Sequence, residues 1–263
     1  MGARETRLAV MTSRAERYDA VVTRREQLSP HLVRLGLSVP GLVSTGIPDE
    51  WVGLVVPGQF QVRYYTVRSL DGDDLVLDVV IHEVGLVTEW ASGDCVGDRV
   101  VVRAPQGSYS LPADPAWLLL VGDLTAMPAM ARIAETTALP TRIWAEVPDH
   151  LPGYLPDDPE VTWLAPPAEG QSRLADVVGG IDWPEGDGYF WMAGESAQMR
   201  AIRKHLMRER RLPNTAYAVM GYWRAVRSRQ PRAVDPGPIW REGKAAGKTD
   251  EEIWAAYDEA RGV

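Results

Sequence analysis

Near Pro112 the chain changes its hydrophobic rhythm, and the two rhythms require two different cores. Upstream, the segments Tyr18–Leu28, His31–Val39, Trp51–Val56, Gln61–Arg68, Leu75–His82 and Asp98–Arg103 are short and rich in Val and Leu. Turn-forming clusters separate them, among them Ser29-Pro30, Pro57-Gly58, Asp71-Gly72-Asp73-Asp74 and Pro105-Gln106-Gly107. Branched aliphatic side chains pack well on a pleated surface, and Gly, Pro and Asp supply the conformations of tight turns. Six or so short strands at this spacing predict a small antiparallel barrel. Downstream, strands Trp117–Val121, Arg142–Val147, Val161–Leu164, Tyr189–Ala193 and Ala216–Met220 alternate with helices near Ala126–Thr136, Ser172–Val178 and Ser196–Arg211. That alternation predicts a doubly wound parallel α/β sheet. Helix Ser196–Arg211 carries Met199, Ile202 and Leu206 on one face, with Ser196 as its expected N-cap.

The expected division is therefore a barrel domain over 1–113, an α/β nucleotide-binding domain over 114–227, and a basic linker with a C-terminal helix over 228–263. Ser228–Pro238 is rich in Pro and Arg. Thr249 and Glu252 have capping-box spacing, and Ile253, Trp254 and Tyr257 give the helix after them an apolar stripe. No internal repeat is present.

Composition removes several classes of function. Lys+Arg 28 against Asp+Glu 36 leaves a charge of −8 on 263 residues, which argues against nucleic acid as a partner. The single cysteine, Cys95, excludes a disulfide framework, a thiolate zinc site and an iron–sulfur cluster held by this chain alone. His31, His82, His150 and His205 are scattered, and no resident metal centre is expected. No window approaches the roughly 20 apolar residues of a membrane span. Charges at Arg4, Glu5, Arg7 and Arg14 interrupt the N-terminus. A cytoplasmic protein with no membrane partner is the expectation.

Four segments have spacing that suits a redox cofactor. Arg63-Tyr64-Tyr65-Thr66-Val67-Arg68 lies on an expected strand, where alternation puts Arg63 and Tyr65 on one face and Thr66 on the other. An aromatic ring and a cation so placed suit an isoalloxazine and its phosphate, and the Thr66 hydroxyl suits a ring-edge acceptor such as flavin N5. The same segment reads equally well as an ordinary barrel strand with exposed arginines. Next, a strand ending at His82 runs through a glycine turn at Gly85 into a short helix near Val87 and Thr88. Helix N-termini bind phosphate; the plainer reading is a core histidine and a core Trp90. Gly122-Asp123-Leu124-Thr125 and Gly194-Glu195-Ser196 are strand-to-helix turns, the place for a nucleotide in an open α/β sheet, with Arg200 and Arg203 on the helix after the second. Neither turn is GxGxxG. The two arginines read otherwise as a solvated face. A barrel followed by a parallel sheet is also the two-domain plan of flavin reductases.

In this order the segments resemble the siderophore-interacting protein family of FAD-dependent ferric-siderophore reductases. The residues that carry the likeness are Arg63-Tyr-Tyr-Thr-Val-Arg68, His82 through Trp90, Gly122-Asp-Leu-Thr-Ala-Met-Pro-Ala129, Gly194-Glu195 and Gly221-Tyr-Trp-Arg224, spread over roughly 18–224. Where the family has Gly-Pro-Ala before its tryptophan, this chain has Gly85-Leu-Val-Thr-Glu-Trp90; where the family has Gly-Asp-Glu-Thr-Ala, Leu124 replaces the Glu. The resemblance implies a ferredoxin-reductase-like fold with FAD on the barrel. It implies flavin contacts at Arg63, Tyr65, Thr66, Val67 and Arg68, phosphate contacts at His82, Val87 and Thr88, and cofactor contacts at Asp123 and Thr125. It implies a donor, NAD(P)H or reduced ferredoxin, near Glu195 and Arg203. The reaction it implies is reduction of a ferric siderophore to release Fe(II), carried by the flavin. A flavin reductase serving another acceptor and a non-catalytic siderophore-binding module are the alternatives. Residues 224–248 carry seven cations against Asp235 and Glu242. Arg241, Lys244 and Lys248 are therefore the candidate contacts for an anionic siderophore; a solvated linker explains the same charges.

Overall fold

The computed structural model describes residues 16–82, 85–168, 171–225, 236–249, 252, 253 and 256. Six strands, β1 (Arg17–Ser29), β2 (Leu32–Ser38), β3 (Trp51–Val55), β4 (Arg63–Asp71), β5 (Asp74–Val80) and β6 (Arg99–Arg103), close an antiparallel barrel in the order β1-β2-β5-β4-β3-β6. The 13-residue β1 makes closure possible, pairing with β2 along one side and β6 along the other. Inward alternation buries Val33, Leu35 and Leu37 of β2 against Leu75, Leu77 and Val79 of β5. Each such side chain contributes about 1.5–3 kcal/mol relative to exposure. A bulge in β4 sets Val67 opposite Leu77 and Ser69 opposite Val76, which leaves Arg68 as the extra residue. The helix α1 (Leu86–Ser92) follows β5.

After the barrel come β7 (Leu118–Asp123), a 3₁₀ turn (Leu124–Ala126), α2 (Met127–Thr136), β8 (Thr141–Glu146), β9 (Glu160–Leu164), α3 (Leu174–Gly179), β10 (Tyr189–Glu195), α4 (Gln198–Lys204) and β11 (Tyr217–Trp223). The five strands are parallel in the order β11-β10-β7-β8-β9. Both faces are covered. Leu118 and Leu120 of β7 join Met127, Met130 and Ile133 on one side, and Leu119 and Val121 join Leu174, Ile202 and Leu206 on the other. Crossovers through helices are what place this sheet inside two layers, and hence why its strands read as apolar runs.

Three expectations change. The helix expected over Ser196–Arg211 starts at Gln198 and gives way to a π-type turn (His205–Glu209). Ser196 is not its cap, because the Ser196 hydroxyl donates instead to the carbonyl of Trp223 at 2.7 Å. A helix the apolar pattern did not signal, α5 (Pro236–Ala245), begins inside the expected linker; its first turn is Pro-Gly-Pro, and proline is compatible with a helix start. Thr249 and Glu252 do form the reciprocal capping box, with Thr249 N to Glu252 Oε2 at 2.8 Å and Glu252 N to Thr249 Oγ1 at 3.3 Å. Ile253 is buried beside Gly243. Trp254, Tyr257 and most of the expected linker lie outside the described residues.

Barrel and sheet meet through buried ion pairs. Arg34 grips Asp78 with two 2.8 Å bonds, and the Tyr154 hydroxyl donates to the same carboxylate. Arg132 on α2 donates to the Val67 carbonyl at 2.9 Å and to Glu50 at 3.1 Å. Glu50 also accepts from Ser44 and Thr45. Asp49 takes Ser108 and Tyr109 from the barrel side and the Trp191 indole N–H at 3.3 Å from β10.

Candidate functional site

The carboxyl ends of β7, β10 and β11 face the barrel at β4, and the motif residues of the second domain converge there. Asp123 ends β7 and is only 6% exposed. Its Oδ1 accepts from Thr125 N at 2.9 Å and Thr125 Oγ1 at 2.6 Å, and its Oδ2 accepts from the Trp223 indole at 2.6 Å. Burial raises the carboxyl to about 6 despite those three donors. Glu195 ends β10, buried, accepting from Ala197 N at 2.7 Å and Ala225 N at 3.3 Å.

Trp223 and Tyr222 are consecutive on β11 and point to opposite sides. Tyr222 packs on the barrel side of the sheet, edge-on to Trp191 at 6.4 Å between ring centres. Its hydroxyl is buried against Thr66 of β4, in a contact too loose for an ordinary hydrogen bond yet close enough for Thr66 to favour the phenolate. Burial, then the nearby Asp49 and Asp123, push that phenol well above its usual range. Tyr222 and Trp223 were legible only as part of a family likeness; the missed signal was an aromatic pair on the last strand of an open sheet.

Of the β4 residues, Thr66 is buried beneath the second domain, while Arg63 and Tyr64 are exposed, Tyr64 at 63%. Tyr65 packs partly into the barrel cluster, and desolvation pushes its hydroxyl up to about 12. Alternation thus holds as expected, with the Tyr65 ring leaning on the barrel core. Val67 is fully buried, and both its backbone groups are taken, its N–H by Glu50 and its carbonyl by Arg132. Arg68, turned out by the bulge, pairs with Glu135 of α2 at 2.6 and 3.1 Å and lies over the Tyr154 ring. The structure therefore separates Val67 and Arg68 from Thr66: they join the domain junction.

Beyond the end of β5, which runs beside the start of β4, α1 starts after Gly85 with no side-chain cap. Val87 is buried, and the Thr88 hydroxyl points to the Val80 carbonyl at 3.4 Å. His82, two residues past β5, keeps much of its surface open, while partial desolvation of its ring lowers its pKa. Trp90 donates to Asp98 at 2.7 Å. Arg203 does not join Glu195. It lies toward the far end of α4 and donates to the Val219 carbonyl of β11 at 2.6 Å. Leu124, at the position where the likeness expects Glu, is buried in the sheet core.

The C-terminal segment returns to the barrel. Trp240 of α5 packs on Phe60, three residues before Arg63, with ring centres 5.1 Å apart. Lys244 lies over the Trp240 ring at 5.1 Å, and Arg241 and Lys248 are exposed. Among the described residues no group of acidic, His or Cys side chains is arranged to hold a metal, and no helix is long and apolar enough to cross a membrane.

This geometry agrees with known proteins. Residues 115–226 match the family described as Siderophore-interacting protein, and residues 59–109 match the Siderophore-interacting FAD-binding domain. An uncharacterized protein of Mycobacterium tuberculosis is 30% identical over 264 residues, covering 81% of this chain and 91% of its own. The mycobactin import ATP-binding/permease protein IrtA of the same organism is 27% identical over 91% of this chain, which spans only 30% of that longer protein. The NADPH-dependent ferric-chelate reductase of Escherichia coli is 29% identical over 58% of this chain and 61% of its own. Among solved structures, a siderophore utilization protein from T. fusca superposes with a TM-score of 0.70 at 26% identity, over 82% of this chain and 95% of that one. With a closed barrel, a parallel sheet and both family segments in order, the chain belongs to the siderophore-interacting protein family.

Proposed function

We propose that this protein is an FAD-dependent reductase of ferric siderophores acting in the cytoplasm, where reduction frees iron as Fe(II). The observation that carries the reading is the meeting of β4 with the last strand of the sheet, where the buried Tyr222 hydroxyl lies against Thr66 without a hydrogen bond of ordinary geometry. A buried polar group with unused hydrogen-bonding capacity between two domains is a reason to expect a ligand. The residues present fit a flavin dinucleotide. Arg63 and the Tyr65 edge lie at the cleft mouth, Thr66 and Tyr222 offer hydroxyls inside it, and the uncapped start of α1 at Gly85, with Val87, Thr88 and His82, offers backbone N–H groups to phosphate.

Bound there, FAD would supply the chemistry, taking a hydride and passing electrons singly to iron. The chain places and shields. Thr66 and Tyr222 orient the ring edge. Asp123, Thr125 and Glu195 form the carboxyl edge over which the donor, NAD(P)H or reduced ferredoxin, approaches. Ferric siderophore approaches from the α5 side, where Arg241, Lys244 and Lys248 attract an anionic chelate. Iron is substrate, so no protein ligand set is required.

The test is direct. Purified protein should carry a flavin spectrum. Under anaerobic stopped flow, a donor should bleach it and a ferric chelate should restore it. A colourless protein that binds ferric siderophore would identify a binding module. A flavoprotein that reduces every acceptor except ferric chelates would identify a reductase of another purpose.

A further inference from the structure

We propose that Asp123 is a positioning residue of the flavin cleft: its carboxylate, acting through the indole of Trp223, fixes Tyr222 opposite Thr66. The inference rests on the flavin reading above. Trp223 is held at both ends. Its carbonyl accepts from Ser196 N at 2.8 Å and Ser196 Oγ at 2.7 Å, and its indole N–H reaches Asp123 at 2.6 Å. Tyr222 precedes it as the extra residue of a register irregularity, with Gly221 opposite Gly194 and Trp223 opposite Glu195, so where Tyr222 projects depends on how Trp223 beside it is anchored. Thr125 supplies two more donors to the same carboxylate and keeps it from swinging toward solvent.

The packing leaves no alternative seat. A Cβ at Gly194 would lie 2.6 Å from Asp123 Oδ2, and one at Gly221 would lie 2.5 Å from Ser196 Oγ. Both glycines therefore permit a close approach that tightens this link. All three bonds to Asp123 are donated to it, so the ionised form is the one that satisfies them, while burial favours the neutral form. The charged group facing Asp123 is Glu146 on β8, which opposes ionisation further. Glu195 on β10 is turned to the backbone at Ala197 and Ala225, and Asp49, across the cleft, faces Tyr222. Protonation of Asp123 leaves an O–H where a donor must be accepted and loosens Trp223 or Thr125.

The experiment compares Asp123→Asn, Trp223→Phe and the double variant as holoproteins. Each single variant is expected to keep bound FAD when assayed below its own melting temperature. Each should lose about 10- to 100-fold in the rate of flavin reduction, the range for a misplaced cleft group. The double variant should lose no more than the worse single one, because both break one link. An independent readout is the Trp223 indole N–H resonance. In the unmodified chain it should titrate near pH 6, and in Asp123→Asn it should not titrate. Additive losses, or an indole resonance that does not move on Asp123→Asn, would overturn the proposal. Absence of FAD from the unmodified protein would overturn the flavin reading, while the indole resonance would still decide whether the Asp123–Trp223 link exists.

Discussion

Two stretches of the same domain junction are built on opposite terms. Around Asp78, Arg34 and Tyr154 share one carboxylate and Arg132 pairs with Glu50, although Arg68 Nε beside them is buried without a partner. Around Thr66 and Tyr222 a buried hydroxyl has only a loose contact, and a carboxyl at Asp123 sits well above its ordinary range. The difference teaches where this molecule is finished and where it waits. The first stretch holds two domains in register; the second departs from full polar satisfaction in the way functional clefts do.

The sharpest way to break the contrast is Asp78→Ala. It strands Arg34 and Tyr154 in the junction, and loss of one partner of a buried pair costs about 3–5 kcal/mol, read from urea unfolding. A loss under about 1 kcal/mol would mean the junction is not held there. A smaller effect comes from Asp123. Its pKa in the folded chain, about 6, lies above the ordinary aspartate value of 3.8, so the folded state holds the proton more tightly. Its contribution therefore favours folding at acid pH and is lost as pH rises from about 4 to 6, then stays flat. The full span corresponds to up to about 3 kcal/mol. The Asp123→Asn variant should lack that slope, so the difference between the two pH–stability curves should trace it.

Tyr222→Phe should move stability by less than about 1 kcal/mol, because the hydroxyl it removes has only the loose Thr66 contact to lose. FAD affinity, by fluorescence titration, should fall measurably. A stability loss above about 2 kcal/mol would show that the hydroxyl is satisfied in the folded protein and would erase the contrast. Smallest is the effect of neutralising Lys244 and Lys248 together. The apparent KM for an anionic ferric siderophore should rise a few-fold and its salt dependence should flatten, with flavin content unchanged. Deleting residues 239–263 with no kinetic consequence would reduce α5 to a structural strap.

Much of the architecture was legible because periodicity reports burial. The apolar alternation of Leu75–His82 and the continuous run Trp117–Val121 each have one physical solution, a half-buried and a fully buried strand. The site was legible only in outline. Thr66 and Asp123 sit where spacing implied, since strand alternation and strand-to-helix turns obey local rules. Arg68 misled because a one-residue bulge re-aims a side chain, and spacing alone does not reveal a bulge. The pairing of Tyr222 with Thr66 joins residues 156 positions apart, a contact no local pattern encodes. Helix α5 was hidden by Pro236, Gly237 and Pro238, which read as linker and serve as a helix start.

Arg203 has a consequence of another kind. The barrel closes on itself and presents no open strand, but the parallel sheet ends in two edges, β9 and β11. An unpaired edge offers its carbonyl and N–H groups to any passing strand, and positive charge on an edge is a common deterrent. Arg203 reaches from α4 and occupies the outward carbonyl of Val219 on β11. A cation so placed should shield that edge, and Arg203→Ala should reveal itself in concentrated solution as aggregation with flavin content unchanged.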